Sequence, residues 1–296
     1  MEKKDLIINN LKFTLWTAGN PSSPPLFLVH GFADSGANFH WVSDYLKEHY
    51  YCIAPDLRGH GLSEGSKSPL GYFFYEYVAD LYEMINHFSP ERPVFIVGHS
   101  MGGNIVSLYG GACPEKIKAF VNIEGLGIKS RSLDKAPQNF SHWLQKKMNP
   151  ARLNYKTLES FSNHLQKRNP LLPEERALLI AKNLLRQNDD NSWSLRVDPL
   201  HFLPNPYIYR FENVAPFFEK HQGKILFIQS EHTNMADWIV ENRSGETQKE
   251  LSKEVLKRLN HYPNYQIKNM DNCGHMIHYD KPQELAEEIF SFFKEV

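Results

Sequence analysis

Residues 98–102 read Gly-His-Ser-Met-Gly, directly after the apolar run PVFIV. A serine with glycines two places away on each side fits a strand-to-helix turn sharp enough to lift the side chain clear of the backbone. An exposed Ser100 hydroxyl is a candidate nucleophile for attack on a carbonyl carbon. A hydroxyl is weak in that role until a neighbouring base takes its proton. The chain has 14 histidines, so most of them are bystanders and the base must be picked by its place in the chain. The plainer alternative is a Ser100 that only caps the helix behind it.

Such a turn needs a buried strand before it and a helix after it, and the sequence offers both. Up to about residue 126, strand-like and helix-like stretches alternate. LIINN and FTLW come first, then PLFLVHG, YYCIAPD, PVFIVGH and AFVNIEG. The last four are short apolar runs of the kind buried on both faces of a parallel sheet. Between them lie NFHWVSDYLKEHY, EYVADLYEMINHF and MGGNIVSLYGGA, and in the second Val78, Leu81, Tyr82 and Ile85 recur at helical spacing. This rhythm implies an α/β sheet covered by helices. It breaks at about Gly127, and from there to Glu219 helix-like segments are separated by Pro and Asn. That stretch carries 14 Lys/Arg against 9 Asp/Glu, read as the solvated surface of small helices. The strand signal returns in KILFIQS at 224–230, followed by a helix, the strand NYQIKNM and a last helix. The expected organisation is a core of residues 1–126 and 220–296 interrupted by a helical insertion at 127–219.

Composition narrows the function classes. Lys and Arg number 33 against 34 Asp and Glu, which leaves no electrostatic footprint for nucleic acid or an anionic membrane. Three cysteines, Cys52, Cys113 and Cys273, argue against a disulfide framework and fit a reducing compartment. The start, MEKKDLIINN, lacks the apolar core of a signal peptide. No apolar run reaches the ~20 residues needed to cross a bilayer. The expectation is a soluble, cytoplasmic protein with no membrane insertion and no nucleic-acid partner.

Three further motifs join the serine: His30-Gly31-Phe32 after PLFLV, Asp56-Leu57-Arg58-Gly59-His60-Gly61-Leu62-Ser63 after YYCIAP, and a late Gly274-His275. In this order they resemble the α/β-hydrolases of the esterase, C–C hydrolase and haloalkane dehalogenase type, over roughly residues 5–126 and 220–296. The resemblance implies an α/β-hydrolase fold, a mostly parallel sheet flanked by helices, with a helical cap inserted. It also implies an oxyanion hole from the backbone N–H groups of Phe32 and Met101, which would stabilise charge growing on a carbonyl oxygen. His275 occupies the family's catalytic-histidine place, and His278 its supporting one. His30, Asp56, Arg58 and His60 are read as holding the loops beside the nucleophile, and Cys273 as a small packed residue.

The family's usual acid follows the strand after the cap, in G-x-x-D. Here Ser230 stands for that Gly and Thr233 for that Asp. Some haloalkane dehalogenases and related serine hydrolases carry a Glu instead at the end of the strand after the nucleophile's helix, and here AFVNIEGLG ends in Glu124. The expected set is Ser100, His275 and Glu124, with Glu231 the runner-up acid and Asp237 a distant third. A serine nucleophile points to acyl transfer to water from an ester, thioester or lactone. C–C bond hydrolysis is an alternative, as is a non-catalytic small-molecule receptor using the same pocket. The insertion is expected to line the substrate pocket with Trp143, Phe161, Leu165, Phe202 and Tyr209. No metal-ligand spacing or phosphate loop is present, so no cofactor is expected, and the expected partner is a small-molecule ester. Oligomeric state is left open.

Overall fold

Short runs rich in aliphatic and aromatic residues form the strands, with polar turns between them. The computed structural model describes residues 1–146, 153–233, 235–239 and 248–296. Its strands are β1 (Glu2–Ile8), β2 (Leu11–Ala18), β3 (Pro25–Val29), β4 (Tyr51–Pro55), β5 (Val94–His99), β6 (Ile117–Ile123), β7 (Asn154–Tyr155), β8 (Leu185–Gln187), β9 (Trp193–Leu195), β10 (Lys224–His232) and β11 (Tyr265–Gly274). Eight of them make one sheet in the order β1-β2-β4-β3-β5-β6-β10-β11. The β1–β2 and β2–β4 pairs are antiparallel and the remaining pairs parallel.

Both faces of this sheet are covered, and the two-residue strand period assigns side chains to them. Phe27, Val29, Ile96 and Phe120 pack on one side. Above them lie α2 (Phe74–Phe88) and α3 (Met101–Ala112), which follow the short α1 (His40–Leu46). Leu26, Leu28, Val97 and Val121 face the other layer, with Val42 and Leu46 of α1. The stripe on α2 is Tyr77, Leu81, Met84 and Ile85, whereas Tyr82 is exposed. Of the expected stripe, Leu81 and Ile85 are buried and Val78 packs against the core, while Tyr82 gives way to Tyr77 and Met84.

The stretch 127–219 holds α4 (Ala136–Lys146), α5 (Leu158–Arg168), α6 (Glu174–Leu184) and α7 (Ala215–Phe218). It also carries a small antiparallel sheet, β7-β9-β8, whose strands are too short to show an alternation in the sequence. The chain then continues through α8 (Met235–Ile239), α9 (Gln248–Leu259), α10 (Ile277–Asp280) and α11 (Pro282–Lys294). The inserted stretch is tied to the core at the loop after β4. Gly61 N–H donates to Arg196 C=O (2.8 Å), and Asp198 N–H donates to Gly59 C=O (2.8 Å). No helix among the described residues is long and apolar enough to cross a membrane.

Candidate active site

Ser100 sits between β5 and α3 at φ 52°, ψ −113°, a region that non-glycine residues rarely adopt. The flanking glycines explain how the turn closes. A Cβ on Gly98 would lie 2.7 Å from Gly102 O, and one on Gly102 would lie 2.1 Å from Val29 O. The Ser100 side chain makes no capping bond to α3, which removes the plain helix-cap explanation. Among the described residues its hydroxyl has no hydrogen-bond partner. Met101 is the first residue of α3, where backbone N–H groups have no partner inside the helix. The loop holding Phe32 passes close by, since a Cβ on Gly31 would come 3.1 Å from Ser100 Cβ.

Glu124 follows β6, the strand beside β5. Its backbone is also left-handed, at φ 54°, and its N–H donates to Ile228 C=O on β10 (3.2 Å). The side chain is fully buried and each carboxylate oxygen is used. Oε1 accepts from both the backbone N–H and the hydroxyl of Ser230, each at 2.8 Å. Oε2 meets His275 Nδ1 at 2.6 Å. A carboxylate only accepts, so Nδ1 carries the proton and Nε2 of a neutral His275 keeps its lone pair. Glu231, the other candidate acid, is half exposed and turns away, with Oε2 accepting from Asn272 N–H (2.8 Å). Thr233 caps the N–H of Met235 (3.0 Å). The Asp237 side chain lies outside the described residues.

His99 joins these loops. Its buried Nε2 bonds to the C=O of His275 at 2.8 Å, and its ring centroid is 4.6 Å from those of both His275 and His278. Burial, and then the neighbouring imidazoles, push its pKa well below the usual range, so it stays neutral. His278 Nε2 pairs with Asp34 Oδ2 (3.0 Å). Burial alone would raise the Asp34 carboxyl, but bonds and charge from His278 and His30, with the Tyr279 hydroxyl, hold it well below the usual carboxylate range. Asp34, His99 and His278 are close enough to be weighed as a metal site. The Asp34 oxygens, however, already accept from Ser35 N–H, Asn38, Tyr279 and His278, so the group is a hydrogen-bonded cluster. Asp56 accepts from Ser35, Gly36, Leu62 and Trp16, and His30 Nε2 accepts from Leu57 N–H. Arg58 forms a two-pronged bond to Asp80 (2.5 and 2.7 Å).

The comparisons with known proteins now decide the family. The alpha/beta hydrolase fold family profile matches residues 24–282. The chain belongs to that family. A serine hydrolase-like protein of Danio rerio is 25% identical over 185 residues, spanning 60% of this chain and 56% of that one. Serine hydrolase-like protein 2 of Homo sapiens is 23% identical over 301 residues, spanning 93% and 88%. A solved thioesterase domain from the curacin biosynthetic pathway superposes with a TM-score of 0.81 at 20% identity, over 98% of this chain and 99% of that one. At that identity the superposition speaks for the fold.

In this alpha/beta hydrolase a cavity of about 170 Å³ lies between core and insertion, walled in part by Phe32 and Met101. Of the expected pocket residues only Trp143 lines it, its Nε1–H donating to Leu70 C=O (3.3 Å). Phe202 stands behind Phe32, edge-on at 5.6 Å, and faces a second cavity on the small sheet. Phe161 and Leu165 do not reach the site. They pack α5 against Ala177, Ile180 and Ala181 of α6, because that neighbour offers a complementary apolar face. Tyr209 is also elsewhere, packed on the core, with Gly127 close to its hydroxyl.

Four residues at the site escaped the sequence reading. Ser230 enters the sequence reading only in place of a glycine, and His99 only as a member of the motif at 98–102. Trp238 of α8 stands edge-on to His275, ring centroids 4.4 Å apart. His201 lines the cavity from a single 3-10 turn, Pro199–Phe202, too short to show a periodicity in the sequence.

Proposed function

We propose that the protein is a serine hydrolase of carboxylic esters or thioesters. Ser100 is the nucleophile, His275 the general base and Glu124 the acid that orients it. The observation that carries the reading is the 2.6 Å bond from a fully buried Glu124 to His275, made beside the strained turn at Ser100. His275 Nε2 takes the Ser100 proton as Oγ attacks the carbonyl carbon. The resulting imidazolium is stabilised by Glu124 through Nδ1–H. The N–H groups of Phe32 and Met101 receive the developing oxyanion. Collapse expels the alcohol or thiol, which takes its proton from His275. Water, activated by the same nitrogen, then releases the acid. The bond from Ser100 to His275 closes when substrate loads the site, as such bonds do in many hydrolases.

The test is labelling by a fluorophosphonate probe together with turnover of p-nitrophenyl butanoate. Wild type should be labelled and active, and Ser100→Ala should lose both, with turnover down by about 10³ or more. Turnover unchanged in Ser100→Ala would remove Ser100 from the mechanism.

A further inference from the structure

The walls of the 170 Å³ cavity say what kind of acyl group fits, given the serine-hydrolase reading on which this inference rests. Its apolar wall includes Phe32, Met101, Trp143, Leu200, Leu203 and Pro204. A cavity of about 150 Å³ lined by apolar side chains is enough for benzene, so this one holds one ring or a short chain.

The tyrosine and histidine groups in the wall are already hydrogen-bonded, to each other or to residues just behind it. Tyr72 OH donates to Asp198 Oδ2 (2.8 Å) and accepts from Ser66 N–H (2.9 Å). Tyr77 OH bonds to His201 Nδ1 (2.9 Å), and His201 Nε2 to the C=O of Arg58 (3.1 Å). That carbonyl only accepts, so Nε2 carries the His201 proton and Nδ1 accepts from Tyr77. His201 stacks on Tyr72 with centroids 3.6 Å apart, and burial pushes its pKa down to about 4. Asn205, also in the wall, uses Oδ1 to accept from Tyr207 N–H. Among the described residues, no Lys, Arg, Asp or Glu lines the cavity. A charged acyl group would find no charged partner among these residues, and burying a charge unpaired is costly.

We propose that the substrates are esters or thioesters of neutral acids carrying a single ring or a short chain, and that long-chain and carboxylate-bearing acyl groups are rejected. The experiment compares kcat/KM for the p-nitrophenyl esters of butanoic, phenylacetic, decanoic and monosuccinic acids. Butanoate and phenylacetate should lead, with decanoate and hemisuccinate lower by about tenfold or more. Trp143→Ala and, on another part of the wall, Leu203→Ala should each raise decanoate relative to butanoate.

A decanoate or hemisuccinate rate equal to that of butanoate overturns the proposed class. So does a profile unmoved by both wall variants, or no turnover of any of the four esters while Ser100 is still labelled. In all these cases labelling of Ser100 leaves the serine-hydrolase reading standing. Absence of labelling in wild type overturns both.

Discussion

Glu124 and Glu231 differ in burial and in the partner each holds. Ser230 is buried and donates to Glu124, whereas Glu231 lies where β10 shifts register against β11, half exposed, and accepts from Asn272 N–H. The left-handed backbone of Glu124 aims it across the end of β10 to His275. Glu124→Gln replaces an acceptor by an amide, which permits the wrong histidine tautomer. Ester turnover should fall by about 10³ to 10⁴. Glu231→Gln should stay within about twofold, since its bonds are at the surface. Steady-state rates on one ester settle this, and the reverse ranking would move the acid to β10. The choice of Glu124 rested on the absent Asp at 233. Its Ser230 cradle was not legible, because it forms between strands far apart in the chain.

At the scale of elements, β6 and β10 are neighbours whose ends lie beside the same imidazole. An acid placed after β10 is therefore the alternative position to test. Thr233 occupies the later place, so Thr233→Asp in the Glu124→Gln background should recover about tenfold or more over the single variant. If the double variant is no better, the end of β10 here lies out of reach. The buried strands and the helices of the core were readable because apolar runs and helical stripes are local signals. The insertion was readable only as helix. Which face α5 turns to α6, and hence that Phe161 and Leu165 serve packing, depends on the partner helix. Hydrophobicity alone does not choose between a pocket and a helix interface.

Across the whole molecule, buried neutral histidines set the acid limit of the fold. Burial lowers His201 and His221 to about 4 each, and it also lowers His30, His60 and His99. An unfolded histidine titrates near 6.5. Between those values the unfolded chain binds protons that the folded chain refuses. The stabilisation is therefore complete above about pH 6.5 and is lost as pH falls towards about 4. From pH 7 to pH 5 each of the two should cost about 2 kcal/mol. Thermal melts across that range should show a steep fall in Tm, and His221→Gln, which keeps a donor for Ser107 C=O, should flatten it. A Tm indifferent to pH over this interval would contradict the account.

The position of Glu124 also bears on ancestry. In the proposed mechanism, nucleophile and acid share one strand–helix–strand unit, β5-α3-β6, so recombination that keeps this cassette intact keeps both. On that reading everything after β6 has to deliver one reacting side chain, His275, together with the serine that bonds to Glu124. On the same reading the end of β10 carries no reacting group, so its sequence can change for new substrates while the reacting pair is inherited whole.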